Sequence, residues 1–156
     1  MIAIGLAVLA ALAAPPAINM AGPDDGAAVT MAVIEIQPSG DRASRLILPP
    51  TADYPAGVPG ARVDHRRTLV RRVLAGRRLP ARITIRQIYP VTAPRPRAGQ
   101  RRLAILARGE DGFWQLQWDA PVIGNRACLD ADALGSYGIS VRGRRPDRTG
   151  AICLNL

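Results

Sequence analysis

The sequence predicts a mostly β domain: a small barrel or β-sandwich of about six to seven short strands, with at most one or two short helices. Three observations lead there. Short apolar runs alternate with polar positions at period two, as in "ARITIRQIY". Gly and Pro, 15 and 14 of 156 residues, punctuate the chain too densely for long helices. Turn clusters separate the runs at regular intervals. The length suffices for one domain with a core. With 48% apolar residues but only one Phe, two Trp and three Tyr, that core must rest on Val, Ile, Leu and Ala.

Met1 to Ala14 is an uninterrupted apolar run, too short to span a bilayer, which needs about 20 residues. Ala11-Leu12-Ala13 fits the small-x-small pattern of signal cleavage, and Pro15-Pro16 ends any helix just beyond. Residues 1–14 are therefore expected to be a cleaved signal peptide, 15–26 a linker, and 27–156 a single β domain, periplasmic or secreted in a bacterium, with no transmembrane span in the mature chain. One feature departs from a signal: no Lys or Arg precedes the run, which leaves as alternatives an uncleaved anchor or a start codon placed slightly downstream of the true one.

Val29, Met31, Val33 and Glu35 alternate with Thr30, Ala32, Ile34 and Ile36, so the first strand is apolar on both faces and expected to be buried. "PSGD" is a turn, and Arg45 to Leu48 a second short strand. "PPTADYPAGVPGA", Pro49 to Ala61, reads as an irregular surface connection. Next comes "TLVRRVLAGRRLPARITIR", Thr68 to Arg86, with six Arg among nine Val, Leu, Ile and Ala. Its first half fits either a helix capped at Gly76 or a strand with Leu69 and Val73 on one face and Val70 and Leu74 on the other. In its second half Ile83 and Ile85 alternate with Arg82, Thr84 and Arg86, which is a strand, and its closeness favours a hairpin.

"PVTAPRPRAGQ" is another Pro-rich connection. "RRLAILARGEDGFWQLQWDAP" is a hairpin about "GEDG", in which Trp114, Leu116 and Trp118 share a face. "RACLDADALGSYG" holds one helical turn capped by Asp130 or Asp132, and "YGISVRG" and "AICLNL" are strands. Cys128 and Cys153, the only cysteines, are expected to pair in an exported chain. Closing a loop of about 26 residues stabilises by about 3–4 kcal/mol in the chain-entropy model. A zinc pair is excluded by the single His and the absence of further ligands.

Val73, Leu74, Gly76, Leu79 and Pro80, followed after a Pro-rich loop by Gly99, Arg101, Leu103 and Leu106, form a turn-and-strand pattern. Over about residues 68–116 this resembles the small exported OB-fold modules of the netrin and metalloprotease-inhibitor (NTR-like) type. The resemblance implies an OB-like barrel and a non-enzymatic role. The N-terminal Cys that inhibitor members direct at a catalytic metal is missing, which argues against metalloprotease inhibition.

Catalytic chemistries find little support. His65, the only His, sits between Asp64 and Arg66, and no Ser lies in a nucleophile-elbow context. Glu110 and Asp111 occupy a turn, Asp119, Asp130 and Asp132 are ordinary loop acids, and "DADALG" lacks most ligands of a calcium loop. No phosphate-binding Gly-rich loop and no cofactor motif is present. Trp114 and Trp118 form either core or a stacking platform for sugar rings or bases, with core the commoner outcome.

The charge is the remaining signal. All 21 basic residues are Arg and the net charge is +9. From Arg62 to Arg108 there are fourteen Arg and one acid, Asp64, a balance of +13. Coding bias explains much Arg and a solvated face much of the patch. The functional reading is a binding face of Arg71, Arg72, Arg77, Arg78, Arg82 and Arg86 for an anionic envelope polymer or acidic protein surface. Nucleic acid is disfavoured by the export signal. An assembly subunit of an envelope complex and a small hydrolase are the alternatives.

Overall fold

A computed structural model describes residues 18–20, 29–38, 43–48, 58–90 and 96–156. The expected signal run and the turn "PSGD" beyond Pro38 lie outside the described residues. Among those described, the order is β1 (Ile18–Met20), β2 (Val29–Ile36), β3 (Ala43–Leu48), β4 (Val58–Ala75), β5 (Arg82–Pro90), β6 (Arg101–Arg108), β7 (Trp114–Pro121), β8 (Arg126–Asp130), α1 (Ala131–Ser136), β9 (Ile139–Val141) and β10 (Ala151–Asn155).

Five strands close on themselves. β2 pairs with β6, β6 with β7, β7 with β5, β5 with β4, and β4 returns to β2, while β3 adds to the outer edge of β4. Every pairing is antiparallel except β5 with β7, where Ile85 lies opposite Trp114 and Arg86 opposite Gln115. This is the small OB-like barrel that the strand pattern and turns led us to expect. Closure removes open sheet edges along the five strands.

The doubly apolar β2 and β6 explain how the core is laid out. Ala32, Ile34 and Ile36 of β2 and Ala104 and Leu106 of β6 point into the barrel, where they meet Ile83, Ile85, Trp114 and Leu79. Val29, Met31 and Val33, with Leu103 and Ile105, point the other way. There they are covered by a C-terminal unit: Ala127 and Leu129 of β8, Leu134 of α1, Ile139 and Val141 of β9, and Ile152 and Leu154 of β10. Two apolar layers thus share two strands. Each fully buried Leu or Ile among them contributes roughly 1.5–3 kcal/mol.

The β4–β5 connection plugs the barrel. Leu79 is buried there, and the Arg77 amide donates to Thr30 Oγ1 at 3.2 Å. Gly76 has φ 91°, and a Cβ on it would lie 2.5 Å from the Val29 carbonyl oxygen, so only glycine fits. In the C-terminal unit Cys128 and Cys153 are direct cross-strand partners of β8 and β10 and form the expected disulfide. Asp130 caps α1, its Oδ1 accepting from the Ala133 amide at 2.9 Å.

Four expectations change. Residues 58–61, read as part of an irregular Pro-rich connection, are the start of an 18-residue β4, on whose other edge β3 pairs. Ile18–Met20, read as linker, form β1 against β9, and Ile18 and Met20 pack on the C-terminal core. β4 carries register shifts between Met31 and Ala32 and between Val33 and Ile34 of its partner β2. These bulges put Val70 and Val73 against the same barrel core and Leu74 against the other, so the strict alternation expected of this strand fails. In the β6–β7 hairpin Ile105 faces Trp118 but Leu106 faces Leu116, which makes Gln117 the extra residue of a bulge. Trp114 and Leu116 consequently pack into the barrel, whereas Trp118 packs on the C-terminal core.

Candidate functional site

The outer surface of β4, β5 and β7 follows from strand pleat. Arg66 and Thr68 lie opposite Ile85 and Ile83 and are buried with them. Their neighbours His65 and Arg67 therefore face outward, level with Arg86 and Thr84 across the ladder. A hollow of about 520 Å³ opens on this surface, lined by Arg67, Leu69, Arg82 and Thr84 with Gln37 and Pro38 from the end of β2. Beside it, at the β6–β7 turn, Arg86, Arg108, Glu110, Asp111 and Gln115 line a second hollow of about 410 Å³. The His65 and Phe113 rings meet between the two strands and the turn, centroids 4.8 Å apart.

The six arginines expected to act together are distributed along the hairpin. Arg82 lines the larger hollow and Arg86 the smaller. Arg77 and Arg78 are exposed in the turn above Thr30, and Arg72 is exposed opposite Val33. Arg71 is held by Glu35 of β2, Nε and Nη2 both reaching Oε2 at 2.8 and 2.7 Å. Arg86 Nη1 donates to Asp111 Oδ2 at 2.7 Å. Asp111 Oδ1 also accepts from the Phe113 amide, and that bond first, then the Arg86 guanidinium, holds the carboxyl below its ordinary pKa.

Other arginines of the same stretch are structural. Arg66 is buried with Asp64, Nη2 to Oδ2 3.1 Å, and its Nη1 donates to the Pro96 carbonyl at 2.8 Å. Arg102 pairs with Asp119. Arg108 lies over the Trp114 ring, 5.3 Å from its centroid. Trp114 itself is only 7% exposed. The two tryptophans thus pack into different cores on opposite sides of β7 and share no face for a stacked ring.

Sequence reasoning missed Arg67, His65 and Phe113 as partners of Arg82 and Arg86. The signal for Arg67 was available: it stands one residue from Thr68 in a strand whose hairpin mate exposes Arg82, Thr84 and Arg86 at every second position. Nothing local in "EDGFW" indicates that Phe113 reaches His65, 48 residues earlier. Among the described residues no cluster of three or more His, Cys, Asp or Glu is disposed to hold a metal ion. No described helix is long and apolar enough to cross a membrane. No protein-family model, curated protein or solved structure matches the chain.

Proposed function

We propose that the protein is an exported, non-enzymatic binding module whose basic barrel face engages an anionic envelope polymer or an acidic protein surface. One observation carries the reading. Arg67 and Arg82 line one open hollow, and among the described residues no acid pairs with either. Guanidinium groups so placed keep their donors for sulfate, phosphate or carboxylate. Thr84 and Gln37 add neutral donors at the rim. Arg77 and Arg78 in the β4–β5 connection and Arg72 on β4 are exposed and add further positive charge outside the hollow. The resemblance of residues 68–116 to NTR-like modules supports a binding role rather than catalysis.

The test is binding to heparin and to lipopolysaccharide across a salt series. The wild-type affinity is expected to fall steeply with ionic strength. Arg67→Glu with Arg82→Glu is expected to abolish most of it, and Arg77→Glu with Arg78→Glu to weaken it further along the same face. Unchanged affinity in both double variants overturns the proposal. Capture of a protein partner that survives high salt, lost in the same variants, assigns the face to an acidic protein of an envelope assembly instead of a polymer.

A further inference from the structure

The larger hollow has a geometry of its own. Leu69 is the register partner of Arg82, and Arg67 that of Thr84. The four side chains form a square on the outer face, with the arginines on one diagonal and Leu69 and Thr84 on the other. Diagonal neighbours on paired strands stand about 7–8 Å apart, a distance that long side chains bridge. Both guanidinium groups can therefore reach one small anion. Among the described residues that line the hollow none is acidic. Glu35, which accepts from the Gln37 side-chain amide at 3.2 Å, already holds Arg71.

Charge decides which anion fits best. A phosphate monoester carries about −1.5 to −2 near neutral pH and presents three strong acceptor oxygens. Two guanidinium groups match that charge, and their N–H forks can bond all three oxygens. A carboxylate, a sulfate ester and a phosphodiester carry one charge each and leave the second guanidinium uncompensated. Size adds a second criterion. The hollow, about 520 Å³, is larger than a phosphate group and lies within the range of small-molecule sites, about 300–1,000 Å³. Its remaining lining is mixed. Thr84 and Gln37 offer hydrogen bonds, and Leu69 and Pro38 an apolar wall.

We propose that this hollow binds a phosphate monoester carried on a sugar-sized polar body. Arg67 and Arg82 share the phosphate, Thr84 and Gln37 bond hydroxyl groups of the body, and Leu69 and Pro38 cover its apolar side. The inference rests on the anionic-ligand reading of this face and names the charged group that the face selects.

The β9–β10 connection, residues 142–150, supplies the control. Arg142, Arg144, Arg145 and Arg148 are exposed there. The one acid, Asp147, bonds its own loop, Oδ1 accepting from the Thr149 amide at 2.8 Å, the Thr149 hydroxyl at 2.6 Å and the Ala151 amide at 3.1 Å. Plain attraction of anions to a basic protein would draw on these arginines as well.

The experiment is calorimetric titration of the full chain with glucose 6-phosphate and with glucose 6-sulfate, whose ester has a single charge. Wild type is expected to bind the phosphate roughly tenfold more tightly or better. Arg67→Gln and Arg82→Gln are each expected to weaken the phosphate by about tenfold and to remove the preference. Arg144→Gln with Arg145→Gln is expected to keep both affinity and preference. The side chains changed are exposed, and a thermal melt verifies that each variant folds. Lipopolysaccharide before and after phosphatase treatment identifies the source of the ester. Binding lost on treatment places it on the envelope polymer; binding retained, with glucose 6-phosphate bound, places it on a free sugar phosphate. Equal wild-type affinity for the two esters overturns the proposal, as does a preference that survives in both single variants or vanishes in the loop variant. The anionic reading then still stands if heparin binds through Arg67 and Arg82. Absence of binding to both esters and to heparin overturns the two together.

Discussion

The barrel hairpin and the β9–β10 loop are both rich in arginine, yet they use it differently. In the barrel, several arginines are mortar. Arg66 is buried against Asp64, Arg71 is tied to Glu35, Arg86 to Asp111 and Arg102 to Asp119. In the loop the one acid bonds the backbone, and among the described residues no acid pairs with the four guanidinium groups. The barrel stretch carries the larger local charge, and Glu35, Asp111 and Asp119 offset three of its arginines. The loop carries less and keeps it. Charge counted along a sequence therefore overstates the field where strands pair and understates it where a loop stands alone.

The largest effect should come from the most structural arginine. Asp64 and Arg66 are 1% and 5% exposed at their side chains. Asp64→Ala leaves a guanidinium inside the protein without its carboxylate, and losing one partner of a buried pair costs about 3–5 kcal/mol. Urea unfolding should register that loss as a large drop in midpoint. A change of the size seen for exposed pairs, under about 1 kcal/mol, would mean that the buried arginine is held by other groups and that the contrast with the loop is overstated.

The next effect tests the support under the loop. Cys128 and Cys153 join β8 to β10, the strand that receives the loop, across a sequence separation of 25. Cys128→Ser with Cys153→Ser should lower stability by about 3 kcal/mol through the unfolded chain's regained freedom. It should also leave the β4–β5 hairpin intact, because that hairpin is built on the other core. Hydrogen exchange separates the two: β8 and β10 amides should lose protection before those of β4 and β5. Uniform loss of protection would show that the two cores unfold as one.

The parts of this arrangement that a sequence reveals are those decided locally. The doubly apolar β2 shows at once as a buried strand, because both phases of "VTMAVIEI" are apolar. The Ile83–Ile85 alternation places Arg82 and Arg86 outward by pleat alone. The disulfide follows from there being only two cysteines, which stand as register partners on β8 and β10. What stayed hidden depends on partners. The bulge at Gln117, which sends Trp118 away from Trp114, exists only in the register with β6. The bulges of β4 likewise arise against β2. The continuation of β4 back to Val58 contradicts local composition, since Pro59 and Gly60 disfavour a strand; pairing with β3, which reaches Val58, overrides them. Three residues at Ile18–Met20 are too few for any period, so β1 is recognisable only by its partner β9. The neutralisation of Arg71, Arg86 and Arg102 was invisible for the same reason. Glu35, Asp111 and Asp119 all lie outside the fourteen-arginine stretch.

The smallest effect distinguishes two acids that look alike in titration. Asp147 and Asp111 are both held below the ordinary carboxylate pKa of 3.8. For Asp147 the Thr149 hydroxyl is the leading cause, followed by the Ala151 and Thr149 amides. For Asp111 the Phe113 amide leads, and the Arg86 guanidinium adds to it. A carboxylate whose folded pKa is depressed adds stability that is complete above its unfolded value and lost as pH falls through the folded one. Each Asp→Asn variant should therefore melt below wild type at neutral pH, with the gap closing as the pH falls below about 4. Salt should separate the two. The Asp111 gap includes an exposed ion pair and should shrink at high ionic strength. The Asp147 gap is mostly hydrogen bonds from a hydroxyl and backbone amides and should hardly move. A gap at Asp147 that salt erases would mean that this carboxylate neutralises the neighbouring arginines after all. The loop would then belong with the barrel, as mortar rather than as free charge.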